Sequence, residues 1–410
     1  MSISKKDPKI AKLISAEEKY ENETIDLIPS ENYASLEVRE ALGSILSNKY
    51  SEGYPGARYY AGEIYVDQIE EIAKDRALKM FKLSPTKWHA NVQPYSGSPA
   101  NLAVYSSVLE PGDKIMGMKL DQGGHITHGL PISFPGRIFD FAFYGVDEKT
   151  EMLDYDEILK IAKKEKPKLI ICGATAYSRT IDFKKFAEIA QKVNAYLLAD
   201  ISHIAGLVIG GAHPSPFPYA DFVMSTTHKT LRGPRGALII CKKEFQKQID
   251  RAVFPGLQGG PHDNQVAAKA VCFGEALDPD FKIYAKQIVK NAKALARELQ
   301  GHGFKIVSNG TDNHLMLVDL RTLQITGKDA QLMLEEIGII CNKNTIPLDP
   351  EKPFIGSGIR IGTPALTTRG MKEKEMTIVA KLIAATLMKK EAKNKLEKEV
   401  VKLAKKFPLE

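Results

Sequence analysis

Ala195-Tyr196-Leu197-Leu198-Ala199-Asp200-Ile201-Ser202-His203 and Asp221-Phe222-Val223-Met224-Ser225-Thr226-Thr227-His228-Lys229 are the two stretches that decide the fold of this chain. Each opens as a short apolar run and ends in polar groups, the pattern of a buried strand followed by a loop. From Asp200 to Lys229 is 229 − 200 = 29 residues, room for one helix and the next strand. The spacing predicts that the two residues sit on neighbouring strands, past the carboxyl ends where open α/β sheets build their sites.

The residue types there suit covalent catalysis. His228, Arg232 and Arg235 flank Lys229, and neighbouring cations and burial both depress a lysine's pKa, freeing its amine to form a Schiff base. Asp200 at a strand end suits a pyridinium nitrogen, which a negative charge keeps protonated. His203 could pack on or bond to such a ring, and Ser225, Thr226 and Thr227 could bond a phosphate. Taken singly these are ordinary features: a solvated basic loop, an Asp at a helix N-cap, a satisfied interior histidine. A phosphate also needs clustered N–H groups at a helix start. Gln93-Pro94-Tyr95-Ser96-Gly97-Ser98-Pro99-Ala100-Asn101 supplies a small-residue turn and then a helical pattern, with Pro99 as its first helical residue. Neither G-x-x-x-x-G-K-[ST] nor G-x-G-x-x-G occurs, which removes a P-loop and weakens a dinucleotide reading.

Outward from these stretches, strand and helix patterns alternate between about residues 21 and 275, as at 168–172, 182–193 and 195–199, and predict a mostly parallel sheet covered by helices. A helix over 285–300 then leads to strands at 305–308 and 314–319, a smaller α/β unit over 276–410 that carries Arg360. Residues 1–20 read as a charged arm or first helix. The composition, 43% hydrophobic and 26% charged, is that of an ordinary globular protein, and 410 residues suffice for two domains or so. No apolar run is long enough to span a bilayer, and residues 1–7 lack an apolar h-region, so the cytoplasm is expected. Cys172, Cys241, Cys272 and Cys341 are far apart without a C-x-x-C pair, as reduced thiols would be. His125-x-x-His128 lacks a third ligand pattern, so no metal is expected. Much of the +7 net charge falls in 389–406, where mixed signs at i,i+4 describe a solvated helix face rather than a nucleic-acid surface.

Further blocks follow one another in order. They include Leu27-Ile28-Pro29-Ser30-Glu31-Asn32, Asn48-Lys49-Tyr50-Ser51-Glu52-Gly53-Tyr54-Pro55-Gly56 and Gly123-Gly124-His125-Ile126-Thr127-His128-Gly129. Later come Val253-Phe254-Pro255-Gly256 with Gln258-Gly259-Gly260-Pro261, then Gly310-Thr311-Asp312-Asn313-His314, and Ser357-Gly358-Ile359-Arg360-Ile361-Gly362-Thr363-Pro364. With the segments around Asp200 and Lys229, this set runs from about residue 15 to the C-terminus. It resembles the serine hydroxymethyltransferase family, pyridoxal-phosphate enzymes of fold type I, the aspartate-aminotransferase fold. The resemblance implies a large domain over 21–275, with a mostly parallel seven-stranded sheet sandwiched by helices, and a smaller C-terminal α/β domain over 276–410. It implies the reversible conversion of serine and tetrahydrofolate to glycine and methylenetetrahydrofolate, in a homodimer with shared active sites or a dimer of dimers. Serine, glycine and a reduced folate are then the ligands, with no membrane or nucleic-acid partner.

The same resemblance implies roles for particular residues. Lys229 would form the aldimine with pyridoxal phosphate, next to His228, and Asp200 would partner the ring nitrogen. His125 would stack on the ring, with His203 and Thr175 beside its phenolic oxygen. Ser96 and Gly97 would hold the phosphate, joined by Tyr50, Gly259 and Gly260 from the other subunit. Arg360 would clamp the substrate carboxylate, near Ser30 or Ser35 and Tyr60. Glu52, also from the neighbour, would handle the proton of the serine hydroxyl and contact folate, while Asn344 and the Gly123-Gly124 loop would face the pterin.

The chain departs from the family pattern at several places. Tyr95 and Pro99 replace a His and a Gln around the phosphate turn, and losing the Gln side chain and one N–H predicts a weaker phosphate grip. Ala61 shifts the following acid to Glu63, Gln122 replaces a His, Thr175 a Ser and Ser202 an Ala. A folate-independent aldolase for β-hydroxy amino acids is the competing activity, and the presence of Glu52, Asn344 and Gly123-Gly124 ranks it second. A purely binding, non-catalytic role fits poorly with the joint presence of Lys229, Asp200 and Arg360.

Overall fold

The computed structural model describes residues 3–409. Its main sheet has seven strands in the spatial order Trp88–Asn91, Ala237–Lys242, Phe222–Thr226, Tyr196–Asp200, Leu169–Cys172, Lys114–Met118 and Asp140–Tyr144. Ala237–Lys242 runs antiparallel to both neighbours, and the remaining adjacent pairs are parallel. The mostly parallel sheet expected from the alternating pattern is therefore present. Its strands read as unbroken apolar runs because both faces are covered. Along Leu169–Cys172, Ile170 and Cys172 enter one core while Leu169 and Ile171 enter the opposite one, the period of two that a pleated strand imposes. The first face carries Ala73 and Ala77 of the helix Ile64–Met80 with Val266 and Phe273 of Asp263–Ala276. The second carries Ala100, Ala103 and Val104 of Gly97–Val108.

A second, antiparallel sheet orders Lys305–Ile306, Leu315–Asp319, Gly358–Gly362 and Asn342–Asn344. Arg360 sits in its middle, opposite Leu317 on one side and Asn342 on the other. The helix Pro279–Gly301 joins the two units. Phe281, Ala285 and Ile288 belong to the first core, whereas Ala292, Leu295 and Leu299 belong to the second. It starts earlier than the expected residue 285 because Asp278 caps it, accepting from the Asp280 amide, and Pro279 fills the first turn. The strand expected over 305–308 stops at Ile306, since Ser308 turns to φ +54° and its amide goes to Glu151 Oε2 at 2.6 Å. Ile25 and Leu27 also belong to the second core, because the strand Ile25–Asp26 pairs in parallel with Ile339–Ile340. Two residues are too few to show any periodicity in sequence.

The first long helix, Pro8–Glu23, is capped by Asp7 and buries no residue, leaving Ile10, Leu13 and Ile14 exposed. Among the described residues no helix is long and apolar enough to cross a membrane.

Arg369 anchors both ends of the chain. Its buried guanidinium donates to five main-chain oxygens, those of Glu21, Asn22, Thr24, Ala404 and Phe407. It thereby meets the carbonyl-rich ends of the helices Pro8–Glu23 and Lys393–Ala404, where a cation is favoured by the helix dipole. Arg369→Ala is expected to cost at least about 3 kcal/mol, because five carbonyls lose a charged donor at once. Urea denaturation measures it, and a loss below about 1 kcal/mol would mean that water replaces the guanidinium.

Candidate active site

Asp200 ends its strand opposite Met224, Thr226 ends the next strand, and Lys229 follows three residues on. With the first turn of Gly97–Val108 and Arg360 from the second sheet, they line one cavity of about 320 Å³. Ser30, His125, Thr175, His203 and His228 line it too.

Asp200 is held by three donors: Asn101 Nδ2 at 3.0 Å, His128 Nε2 at 3.2 Å and the Ser202 amide at 3.1 Å. Burial opposes its charge, yet the His128 bond, the charge that His128 and His125 carry when protonated and the Ser202 bond keep the carboxyl well below the usual carboxylate range. His128 accepts from the His125 amide at Nδ1, so Nε2 is the nitrogen free to carry the proton towards Asp200. Thr127 joins the group, its hydroxyl 2.9 Å from Asn101 Nδ2 and 2.7 Å from His125 Nδ1. Burial first, then the charges of His128, Lys229 and Arg360, push His125 down to about 4, leaving a neutral ring at the cavity wall.

Lys229 is buried, which lowers its amine to about 8; Asp200 opposes that shift, while Arg360 and Arg235 add to it. Arg360 donates Nε to Asn342 Oδ1 at 3.0 Å and Nη1 to the Thr175 carbonyl at 2.8 Å. Among the described residues it has no carboxylate partner. A buried guanidinium without a counter-ion favours an anionic ligand, and burial lowers it to about 10.

The phosphate-like end lies at the helix start. Ser96 is the N-cap of Gly97–Val108, yet its side chain makes no capping bond, so the hydroxyl and the first helical amides remain available. Pro99 is the third helical residue rather than the first. A Cβ on Gly97 would lie 2.8 Å from Thr226 Cγ2, so a larger residue would force the Thr226 side chain to move. Of the three hydroxyls at and just past the strand end, Ser225 bonds the Thr226 carbonyl and Thr227 the Pro234 carbonyl. Thr226 Oγ1 is buried and unpartnered, as is His228 Nδ1. Burial, then Lys229 and Arg235, lower His228 to about 3. An unspent helix start, two orphaned polar atoms and a buried carboxylate fit an aromatic ring with a protonated nitrogen and a phosphate arm, the chemistry of pyridoxal phosphate.

The remaining candidates lie outside this cavity. Tyr50 and Tyr60 are exposed and meet edge to face, 5.3 Å between ring centres. Glu52 is beside the glycine pair, with Oε1 3.4 Å from a Cβ position on Gly259 and Cγ 3.5 Å from one on Gly260. Gly123 accepts the Thr175 amide at 2.8 Å, while Asn344 is tethered nearby because Thr345 Oγ1 reaches the Asp121 carbonyl at 3.3 Å. Ser35 is engaged elsewhere: it caps the helix Leu36–Leu42 and donates to Glu275 Oε1 at 2.5 Å. Of the two serines considered for the substrate, only Ser30 lines the cavity.

Sequence reasoning gave no role to His128, Asn101 or Ser202. His128 had a signal, the i,i+3 spacing to His125 that a 3-10 turn brings round; Asn101 sat one turn into a helix whose start was already singled out. Ser202 receives the Thr226 amide at 3.1 Å, bracing the neighbouring loop. A family model described as serine hydroxymethyltransferase matches residues 3–383. That span covers nearly all of the chain, and the chain belongs to the serine hydroxymethyltransferase family, fold type I enzymes that interconvert serine and glycine with pyridoxal phosphate as cofactor and tetrahydrofolate as cosubstrate.

Proposed function

We propose that this cavity carries the serine–glycine interconversion of the family, with Lys229 holding the cofactor. One observation carries the proposal: Lys229, Asp200, Arg360 and the Ser96-Gly97 turn come from four separate parts of the chain and line one cavity. Pyridoxal phosphate, when bound, supplies an electron sink for the charge left on the substrate's α-carbon. Asp200 keeps a proton on the ring nitrogen, and His128 with Asn101 keeps Asp200 charged and aimed. Ser96, the first amides of Gly97–Val108, Thr226 Oγ1 and His228 Nδ1 take the phosphate. His125 would lie against the ring face, with Thr175 and His203 at the phenolic oxygen. Arg360 uses its free Nη2 edge to clamp the substrate carboxylate, with Ser30 adding a hydroxyl. The lowered pKa of Lys229 lets it exist in part as a free amine near neutrality, able to bond carbon and to move a proton.

Tyr50, Glu52, Gly259 and Gly260 then serve the cavity of a second subunit in a homodimer or a dimer of dimers, and Tyr60 lies near the substrate. That none of them lines their own subunit's cavity, while Tyr50 and Tyr60 are exposed, supports this. Glu52 handles the proton of the serine hydroxyl, and Asn344 with Gly123-Gly124 faces the pterin. The cytoplasm is the compartment proposed, and the units over 21–275 and 276–410 are the domains proposed.

Capture of pyridoxal phosphate by the apo protein should rise about tenfold per pH unit and level off above about 8, since only the free amine of Lys229 reacts. Stopped-flow absorbance measures it; a plateau reached only near the pKa of an exposed lysine would reject the depressed value. Borohydride should fix the cofactor to the wild type and not to Lys229→Ala. Serine cleavage should require a reduced folate, and a rate indifferent to any pterin would transfer the proposal to the aldolase. Mixing Lys229→Ala with Glu52→Gln subunits should restore about a quarter of wild-type activity, because half of the dimers are hybrids and each has one intact site. Sites contained within single subunits would give no recovery.

A further inference from the structure

His203 lines the cavity, and its ring is held from behind by another histidine. Nδ1 of His203 lies 3.1 Å from Nε2 of His314, with the rings 5.3 Å apart and tilted by 32°. Both side chains are buried, His314 completely. His314 belongs to the second unit, where it directly precedes the strand Leu315–Asp319. The residues before it are pinned to the first unit: the Asp312 amide reaches the Ser178 carbonyl at 2.8 Å, and Asn313 Nδ2 the Tyr177 carbonyl at 2.9 Å. The other ring nitrogen of His314, Nδ1, is buried without a hydrogen-bond partner.

These contacts select one arrangement of protons. Burial, then the charges of Arg360 and Lys229, push His314 down to about 3. Burial, then Lys229, Arg360, His314 and His125, hold His203 well below an ordinary histidine. Both rings are thus neutral at pH 7, and each carries one N–H. If His203 were the donor in their contact, His314 would have to carry its proton on Nδ1. That would bury an N–H with no acceptor, a defect folded proteins rarely tolerate. If His314 donates from Nε2, its Nδ1 keeps only an unused lone pair. His203 then accepts at Nδ1 and carries its own proton on Nε2, the nitrogen left towards the cavity.

We propose that His314 is a positioning residue that locks His203 as an N–H donor into the cavity. His203 can then donate to an oxygen anion but cannot accept a proton from a hydroxyl at that wall. A fixed donor at that wall favours the ionised form of a phenolic oxygen on a bound ring. Because His314 comes from the second unit, the donor is set only while that unit is docked. What His203 donates to rests on the cofactor reading above; the state of its proton does not.

The proton can be read directly. In cofactor-free protein labelled with ¹⁵N-histidine, long-range proton–nitrogen correlation spectra distinguish the two tautomers, and the signal lost in His203→Gln identifies His203. The expected result is Nε2–H in the wild type and in His314→Gln, whose amide can donate to the same nitrogen. His314→Leu should show a mixture of both tautomers and bind pyridoxal phosphate about tenfold more weakly, with His314→Gln within about twofold of the wild type. Nδ1–H at His203 in the wild type, or an unchanged tautomer and affinity in His314→Leu, overturns the proposal. If His314→Leu does not fold, the wild-type spectrum alone still decides. Wild-type protein with Nε2–H at His203 that binds no pyridoxal phosphate would uphold the lock and overturn the cofactor reading instead.

Discussion

A charged carboxylate buried at the end of a central strand is the constraint around which this cavity is organised. Asp200 keeps its charge against burial only because His128, Asn101 and the Ser202 amide all donate to it. Each donor is fixed in turn. His128 is oriented by the His125 amide, and Asn101 by its place on Gly97–Val108 and its bond to Thr127. The Ser202 hydroxyl takes the Thr226 amide. A preorganised set of dipoles of this kind holds a charge ready where water is excluded. The same potential opposes the depression of Lys229, while Arg360 and Arg235 promote it. The amine's pKa of about 8 is therefore a balance between one buried anion and two cations, set by burial.

The central part of the fold was legible because parallel strands covered on both faces must be apolar throughout, as 169–172 and 196–199 are. Lys229 and Asp200 were legible for a related reason, since each lies at or just past the end of such a run. The beginning of the chain was harder. Ile25 and Leu27 join the core of the C-terminal unit through a two-residue strand, and a contact across more than 300 positions leaves no local trace. The donors to Asp200 were missed for the same reason. Asn101 is 99 residues from Asp200 and His128 is 72 away, and neither spacing carries a signal until the sheet is formed.

Hydroxyls that could bond a phosphate were legible in number but not in identity. Three follow the strand Phe222–Thr226 or end it, and two are spent on carbonyls of their own loop. Only geometry distinguishes Thr226, whose Oγ1 is left buried and unmet. The two serines near residue 30 divide in the same way, Ser35 into a helix cap and Ser30 into the cavity wall. Capping is the commoner use of a serine that precedes a helical pattern.

Tyr95 alters what the departures from the family pattern mean. In sequence it is a second change at the phosphate turn, replacing a histidine immediately before Ser96, beside the loss of a Gln side chain and one N–H at Pro99 that predicts a weaker phosphate grip. In the structure its hydroxyl donates to the Gly260 carbonyl at 2.6 Å, and its ring stacks on His262 with 4.2 Å between centres. Its amide goes to Gln258 Oε1 at 3.0 Å, and Gln258 Nε2 returns to the Gln93 carbonyl at 3.1 Å. The turn that faces its own cavity is thus laced to the loop carrying Gly259 and Gly260. Pro99 removes one amide from the helix start, but no intrahelical bond is lost, since the first helical amides have no partner in the helix. Tyr95 therefore makes bonds within the protein, whereas Pro99 only removes an amide. A tyrosine at position 95 ties two loops together, whereas the groups proposed to meet the phosphate, Ser96, Thr226 and His228, are residues that the departures leave untouched.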